Sequence, residues 1–270
     1  HRLDVHAELG LGVDFEELRG AVADRTFVRV LYGVHPYGHT AMGTEKSVAT
    51  RTVDDVRGFH AAAIRPDTAT LLAVGDCHHA DVERMAADVF DGWHGGDGVR
   101  SADMPDGRAR DLPANGARLI VVPRPGAPQS ELRIGHVAVS RSTPDYHALV
   151  AANMVLGGQF VSRINLNLRE SKGLTYGART SFDFRRMPGP FALQVSVQTA
   201  ATARAIEESI GEISAIRGPR PVTEDELSLG VAALTRGYAR NFETADQVAR
   251  AVTQIALYDL PDDDFVQFVP

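Results

Sequence analysis

The chain has 270 residues, of which 44% are hydrophobic and 23% charged, and its formal net charge is −7 at pH 7. This length can bury a sizeable core in one large domain or two smaller ones. The negative charge argues against nucleic acid as a general partner, because phosphate binding requires a basic face. No apolar run reaches the roughly 20 residues that cross a bilayer. We therefore expect a soluble protein without a membrane partner, and the cytoplasm and the periplasm both stay open as its compartment.

The first part of the chain predicts two helices, a strand and a third helix. Apolar residues at helical spacing predict helices over 15–32, 52–63 and 80–90. Thr52 is typical of an N-cap, and we expect the apolar residues of that second helix to face inward (Val53, Val56 and Phe59). Residues 70–74 are almost entirely apolar and predict a short strand.

A segment rich in glycine and proline interrupts the chain over residues 92–116. It lacks apolar periodicity and is long for a connection between neighbouring strands. We interpret it as a linker between a first unit, residues 1–91, and a second unit, residues 117–270.

The second unit predicts two hairpins and several helices. Strands are predicted over 118–122, 131–139, 176–185 and 191–199, and helices from Thr143-Pro144-Asp145, over 162–168, and over 203–216, 223–240 and 244–258. Thr223 followed by Glu226 is a capping-box pattern. The whole chain therefore predicts an α+β fold of two α/β units, with mixed or antiparallel sheets and helices on one face.

Candidate metal ligands do not form a recognisable pattern in this chain. Ten histidines are present, but neither His-Glu-x-x-His nor His-x-x-Glu-His occurs. His35 and His39 are separated by Pro36 and Gly38, which predict a turn rather than a ligand helix. The single cysteine, Cys77, excludes an internal disulfide and is interpreted as a small packing residue beside a strand end. We expect no metal site and no catalytic residue in this chain.

Two sets of short motifs occur in an order that is characteristic of one protein family. Residues 156–164 (LGGQFVSRI) are followed by residues 168–176 (LRESKGLTY). Earlier in the chain, residues 35–38 (HPYG) precede residues 43–45 (GTE) and the segment 65–76. In order and spacing these motifs resemble the pitrilysin/insulinase-type zinc metallopeptidases, or inverzincins, over most of the chain, and specifically their zinc-free, C-terminal-type portion.

The resemblance implies two similar α/β halves that enclose a chamber, with zinc bound by the first half. It also implies that an arginine and a tyrosine seven residues apart contact the substrate, and Arg169 and Tyr176 match that spacing. Glu8 lies about where the family has its distant zinc-binding glutamate, although a surface carboxylate is the simpler interpretation. Since His-x-x-Glu-His is absent, zinc is expected on a missing half or a partner chain. The implied partners are a peptide or unfolded polypeptide and a zinc-bearing half or subunit, with a homodimer or heterodimer left open.

Two functional hypotheses follow from this resemblance. In the first, the chain is a non-zinc portion or subunit of a zinc endopeptidase that positions peptide substrate through Arg169 and Tyr176 and does not hydrolyse it alone. In the second, it is a catalytically silent scaffold, like the core subunits that share this fold. The presence of both Arg169 and Tyr176 favours the first hypothesis, because a scaffold requires neither side chain.

Overall fold

The computed structural model describes residues 19–93 and 118–268. The structure divides into two compact units, each drawn from separate parts of the sequence. From here on, the first unit means residues 1–46 and 107–234, and the second unit means residues 47–106 and 235–270. The predicted linker over 92–116 lies almost wholly outside the described residues, as do Glu8 and the start of the first predicted helix. The division of the chain at that linker therefore stays a prediction.

The helices of the described residues are named here in chain order. They are α1 Arg19–Tyr32, α2 Glu45–Ala49, α3 Val53–Ala63, α4 His79–Phe90, α5 Tyr146–Asn153, α6 Arg163–Asn165, α7 Thr202–Ala215, α8 Glu224–Arg236 and α9 Ala245–Tyr258. A π-helical turn continues α5 over Met154–Gly158, and another continues α6 over Leu166–Ser171. Short 3-10 turns occupy Pro36–Gly38, Pro66–Thr68, Thr199–Ala201 and Tyr238–Phe242.

A three-stranded antiparallel sheet forms the centre of the first unit. Its strands are β1 Gln129–Val137, β2 Ala178–Phe182 and β3 Pro190–Gln198, in the order β1-β3-β2. Side chains on a strand alternate between the two faces. Alternate residues of the central strand are accordingly buried in the core (Leu193, Val195 and Val197). This arrangement confirms the α+β class and the antiparallel sheet expected from the sequence.

The core of the first unit lies between one face of this sheet and the helices α6 and α7. Ile164, Leu168 and Ala205 are completely buried there with the inward side chains of β3. The two larger side chains, Ile164 and Leu168, each contribute roughly 1.5–3 kcal/mol relative to exposure. The opposite face of the sheet carries polar side chains, and it is the face on which the candidate site lies.

Two predicted strands are wrong in the structure. Residues 70–74 and 118–122 run without a strand partner among the described residues. An apolar extended segment becomes a strand only when a neighbour accepts and donates its backbone hydrogen bonds, and the described part of the chain supplies no such neighbour. The helix expected from Thr143 begins only at Tyr146, after a turn that contains Pro144.

The orientation expected for three residues of α3 is also wrong. Val53, Val56 and Phe59 are exposed, at 65%, 62% and 68% of their surface. Thr52 does cap this helix, because its side chain accepts from the Asp55 N–H while the Asp55 carboxylate accepts from the Thr52 N–H. Local capping therefore fixed the start of α3 correctly, while nothing described in the structure covers its apolar face. Cys77, expected as a packing residue, is likewise exposed.

Residues His35 to Gly38 form a turn that contacts the connection between β2 and β3. The Tyr37 hydroxyl accepts a hydrogen bond from the Met187 N–H (3.3 Å). The preceding buried residue, Tyr32, donates its hydroxyl to the Pro188 carbonyl (2.9 Å), and burial raises the pKa of that phenol to about 12.

Within the described residues, no helix is long and apolar enough to cross a membrane.

Candidate functional site

Arg169 and Tyr176 lie on either side of a tightly fixed helix end. The second π-helical turn ends at Ser171, and Gly173 then adopts a positive φ of 62°, which glycine tolerates without steric cost. The Leu174 N–H donates to the Leu168 carbonyl (2.8 Å), and both leucines are buried in the core. This helix end therefore has one conformation, and it sets the chain direction from Arg169 to Tyr176.

Tyr176 stands out from a backbone that is held on both sides. The neighbouring Thr175 hydroxyl donates to the Ser196 carbonyl of β3 (2.7 Å) and accepts from the Gly177 N–H (3.1 Å). The next residue, Ala178, begins β2. Despite these anchors, 93% of the Tyr176 surface is exposed. A large aromatic side chain that is exposed on a fixed backbone in this way is available to contact a ligand.

Arg169 lies in a partly buried setting that orients its guanidinium. Its side chain is 32% exposed, and Nη1 lies 2.9 Å from the Glu170 carboxylate. The guanidinium carbon lies 4.1 Å from the centroid of the Phe160 ring. A cation above an aromatic face is stabilised by roughly 0.5–1 kcal/mol at an exposed site. Neither predicted site residue is thus packed into the hydrocarbon core.

An open cavity of about 520 Å³ adjoins this region on the polar face of the sheet. Tyr176 and Phe160 both line it, together with residues from all three strands (Glu131, Arg133, Arg179, Gln194 and Ser196). Arg169 is not part of the lining, but its guanidinium lies over the ring of Phe160, which is. The structure therefore brings together in one cavity Tyr176 and Phe160, the ring on which Arg169 stacks.

The charged groups on the β1 side of the cavity pair with one another. Arg133 pairs with Asp24 of α1 (2.6 Å) and with Glu131 (3.3 Å). The Glu131 carboxylate also accepts a hydrogen bond from the Ser196 hydroxyl (2.6 Å). These contacts hold the side chains of this wall in place, with one guanidinium shared between two carboxylates.

The outer edge of β2 is closed by asparagine side chains. The Ala178 N–H donates to the Asn165 amide oxygen (2.9 Å), and the Thr180 carbonyl accepts from the Asn153 amide (3.1 Å). Such contacts satisfy backbone groups that an edge strand otherwise offers to another chain. Gly157 allows the first π-helical turn to lie close to β2, since a Cβ at this position would lie only 2.7 Å from the Thr180 backbone nitrogen. The glycine is needed for a close approach, not for a special turn conformation.

Sequence reasoning singled out Arg169 and Tyr176 but missed Phe160 and the polar residues of the sheet. The sequence did contain a signal for the polar residues of the sheet, because residues 191–199 alternate apolar and polar side chains. The polar partners of that alternation, Gln194 and Ser196, are the ones that line the cavity. Phe160 had no such signal, since its contact with Arg169 depends on how two π-helical turns pack.

Within residues 19–93 and 118–268, no group of three or more His, Cys, Asp or Glu side chains is placed to hold a metal ion. His35 belongs to the 3-10 turn described above, and its Nδ1 accepts from the Tyr37 N–H (3.0 Å). Burial lowers its pKa, and the nearby Arg185 adds to the effect. The described residues thus do not fit a zinc ion.

Comparison with known proteins gives a family assignment. The family model of the peptidase M16 inactive domain matches residues 51–234, a range that contains the whole cavity. An uncharacterized zinc protease of Mycobacterium leprae is 23% identical over 220 residues, or 82% of this chain and 48% of the relative. An uncharacterized zinc protease of Mycobacterium tuberculosis H37Rv is 25% identical over 224 residues, or 83% of this chain and 50% of the relative. The chain thus spans about half the length of these curated relatives.

Solved structures share the fold. The peptidase M16 inactive domain from Pseudomonas fluorescens superimposes with a TM-score of 0.78 at 22% identity, covering 98% of this chain and 61% of that one. A chain of Complex III2 from Candida albicans gives a TM-score of 0.72 at 12% identity, covering 93% of this chain and 60% of that one. The resemblance drawn from the sequence motifs is thereby confirmed: the chain belongs to the peptidase M16 inactive-domain family of the zinc proteases.

Proposed function

We propose that this chain is the substrate-positioning, zinc-free part of an M16-type zinc endopeptidase, and that it does not hydrolyse peptide bonds alone. The observation that carries the proposal is the exposure of Tyr176 on a backbone anchored from both sides, beside an open cavity. Presenting a large exposed side chain from a fixed backbone serves binding rather than packing. The substrate class is a peptide or an unfolded polypeptide.

Each of the two site residues has a role that its chemistry supports. The Tyr176 hydroxyl can donate a hydrogen bond to the oxyanion that develops when a peptide carbonyl is attacked. Arg169 offers a planar fork of donors to a backbone carbonyl, and its contact with Phe160 limits the orientations of that fork. When bound elsewhere in the assembly, zinc would supply the activated water.

The experiment measures turnover of an unfolded polypeptide by this chain assembled with a zinc-bearing half. Removing one preorganised donor costs on the order of 10²–10³ in kcat, so Tyr176→Phe and Arg169→Ala should each lower kcat by about that factor. Arg204→Ala, which removes an exposed arginine of α7 outside the cavity, serves as the control and should leave kcat unchanged. Wild-type kinetics in both site variants would assign Arg169 and Tyr176 a structural role only.

The proposed zinc-bearing partner is supported by apolar surface in the second unit. Val53, Val56 and Phe59 form a stripe along one side of α3, and α4 exposes Met85, Val89 and Phe90. Residues 70–74 add an apolar segment of the same unit that has no strand partner among the described residues. An interface of this composition suits a polypeptide that brings both apolar side chains and strand edges.

Association with the zinc-bearing half can be tested on α3. Val56→Lys places a charge in the apolar stripe and should weaken co-purification with that half, since burying an unpaired charge is costly. Ala61→Lys places the same charge on the other side of the helix and should have no effect. Equal association of both variants would show that α3 lies outside the interface. Light scattering of the isolated chain reports whether it forms a homodimer instead.

A second candidate function is a silent scaffold, which the fold shared with a Complex III2 chain of Candida albicans favours. A scaffold stabilises an assembly and makes no use of Tyr176 or Arg169. It therefore predicts that substitution of either residue changes neither turnover nor complex formation. The kinetic experiment above distinguishes the two functions directly.

A further inference from the structure

The cavity contains an arginine that carries an uncompensated charge. Arg179 of β2, Gln194 of β3 and Arg133 of β1 lie side by side in one row across the sheet. Arg133 is paired with two carboxylates. Arg179 instead donates from Nε and Nη2 to a single amide oxygen of Gln194, at 3.1 and 2.8 Å. Among the described residues, no carboxylate lies within ion-pair distance of Arg179.

This arrangement orients the Arg179 guanidinium without neutralising it. Two bonds to the neutral Gln194 amide restrict the side chain, so less conformational entropy is lost when a ligand binds. Arg179 is an exposed residue and lines the same cavity as Tyr176. A preorganised guanidinium binds a carboxylate through two parallel hydrogen bonds.

We infer that Arg179 makes this cavity selective for peptides that present a carboxylate, either from an aspartate or glutamate side chain or from the peptide C-terminus. The inference rests on the proposed function and names the substrate chemistry of that site. Glu131, the acidic residue of the cavity lining, does not pair with Arg179, because its carboxylate is bonded to Arg133 and Ser196. The cavity therefore offers a bound peptide one unpaired positive charge.

The test is a binding measurement with the isolated chain and fluorescently labelled, unstructured peptides. One peptide carries glutamine at its centre and a C-terminal amide, a second replaces that glutamine with glutamate, and a third keeps glutamine but has a free C-terminus. A hydrogen bond to a charged group makes about a tenfold preference the expected size for a carboxylate peptide over the neutral one. Comparison of the second and third peptides identifies which carboxylate is bound.

Variants assign the preference to one residue. Arg179→Met should reduce the preference to about onefold, and Arg179→Lys should retain part of it because the charge remains. Arg204→Met removes an arginine outside the cavity and should leave the preference intact. Circular dichroism establishes that each variant is folded.

The possible failures are distinguishable. If wild type binds all three peptides equally, and Tyr176→Ala, which removes the exposed ring, weakens that binding, the inference about Arg179 is wrong while the proposed function stands. A preference that survives in Arg179→Met also overturns the inference. If wild type binds none of the peptides, both the inference and the proposed peptide binding fail.

Discussion

Gly157→Ala should destabilise the first unit strongly, although it adds only one methyl group. The new Cβ would lie 2.4 Å from Thr180 Oγ1 and 2.7 Å from the Thr180 backbone nitrogen. A side-chain clash alone could be relieved by rotation, but the backbone of β2 is fixed by its pairing with β3. Either the first π-helical turn or β2 must therefore move.

The magnitude follows from the contacts that this movement breaks. Forcing an extra methyl group into a packed site costs about 1–3 kcal/mol. The shift would also strain the two hydrogen bonds between Asn153 and Thr180, at 3.1 and 2.8 Å. Each such bond contributes about 1 kcal/mol. If both bonds are lost, the free energy of unfolding falls by about 3–5 kcal/mol in all.

Urea unfolding followed by circular dichroism measures this loss, and a second glycine provides the control. Gly211 lies within α7, and a Cβ there would meet nothing within 4 Å. Alanine is the better helix former, so Gly211→Ala should raise the free energy of unfolding by up to about 1 kcal/mol. The same chemical change therefore has opposite expected signs at the two positions. A Gly157→Ala variant as stable as wild type would refute the close approach of this turn to β2.

Three further variants test individual contacts. Leu168→Ala removes a completely buried side chain and should lower the free energy of unfolding by about 2–5 kcal/mol in the same urea assay, whereas a smaller loss would contradict its place in the core. Bonding to Arg163 lowers the pKa of Glu226 to about 2. The stability that this carboxylate contributes is therefore present above its unfolded pKa and is lost as the pH falls toward 2. In an acid titration, the free energy of unfolding of Glu226→Gln should depend less on pH in that range than that of wild type. Burial raises the pKa of Tyr32 to about 12, so its pH dependence has the opposite direction: the contribution to stability is present below pH 10 and is lost as the pH rises to 12. The free energy of unfolding of Tyr32→Phe should therefore change less in alkali than that of wild type. An unchanged alkaline titration would count against burial of the phenol.

The sequence by itself predicted the local features of this protein well. The start of α3 at its Thr52 cap and the start of α8 after Thr223 both follow from reciprocal bonds within four residues of chain. The burial of one face of β3 follows from alternation, which depends only on the geometry of a strand. The family could be identified for a similar reason, since short motifs such as residues 168–176 are contiguous in the chain.

Only the tertiary structure decided which segments pair and which side chains meet. Residues 70–74 have the composition of a strand and yet have no strand neighbour in the described parts of the chain. The row formed by Arg179, Gln194 and Arg133 joins residues of three strands, and the stacking of Arg169 on Phe160 joins residues on either side of a helix start. Capping and alternation act over a few residues, whereas backbone pairing and charge compensation depend on groups that only folding brings together.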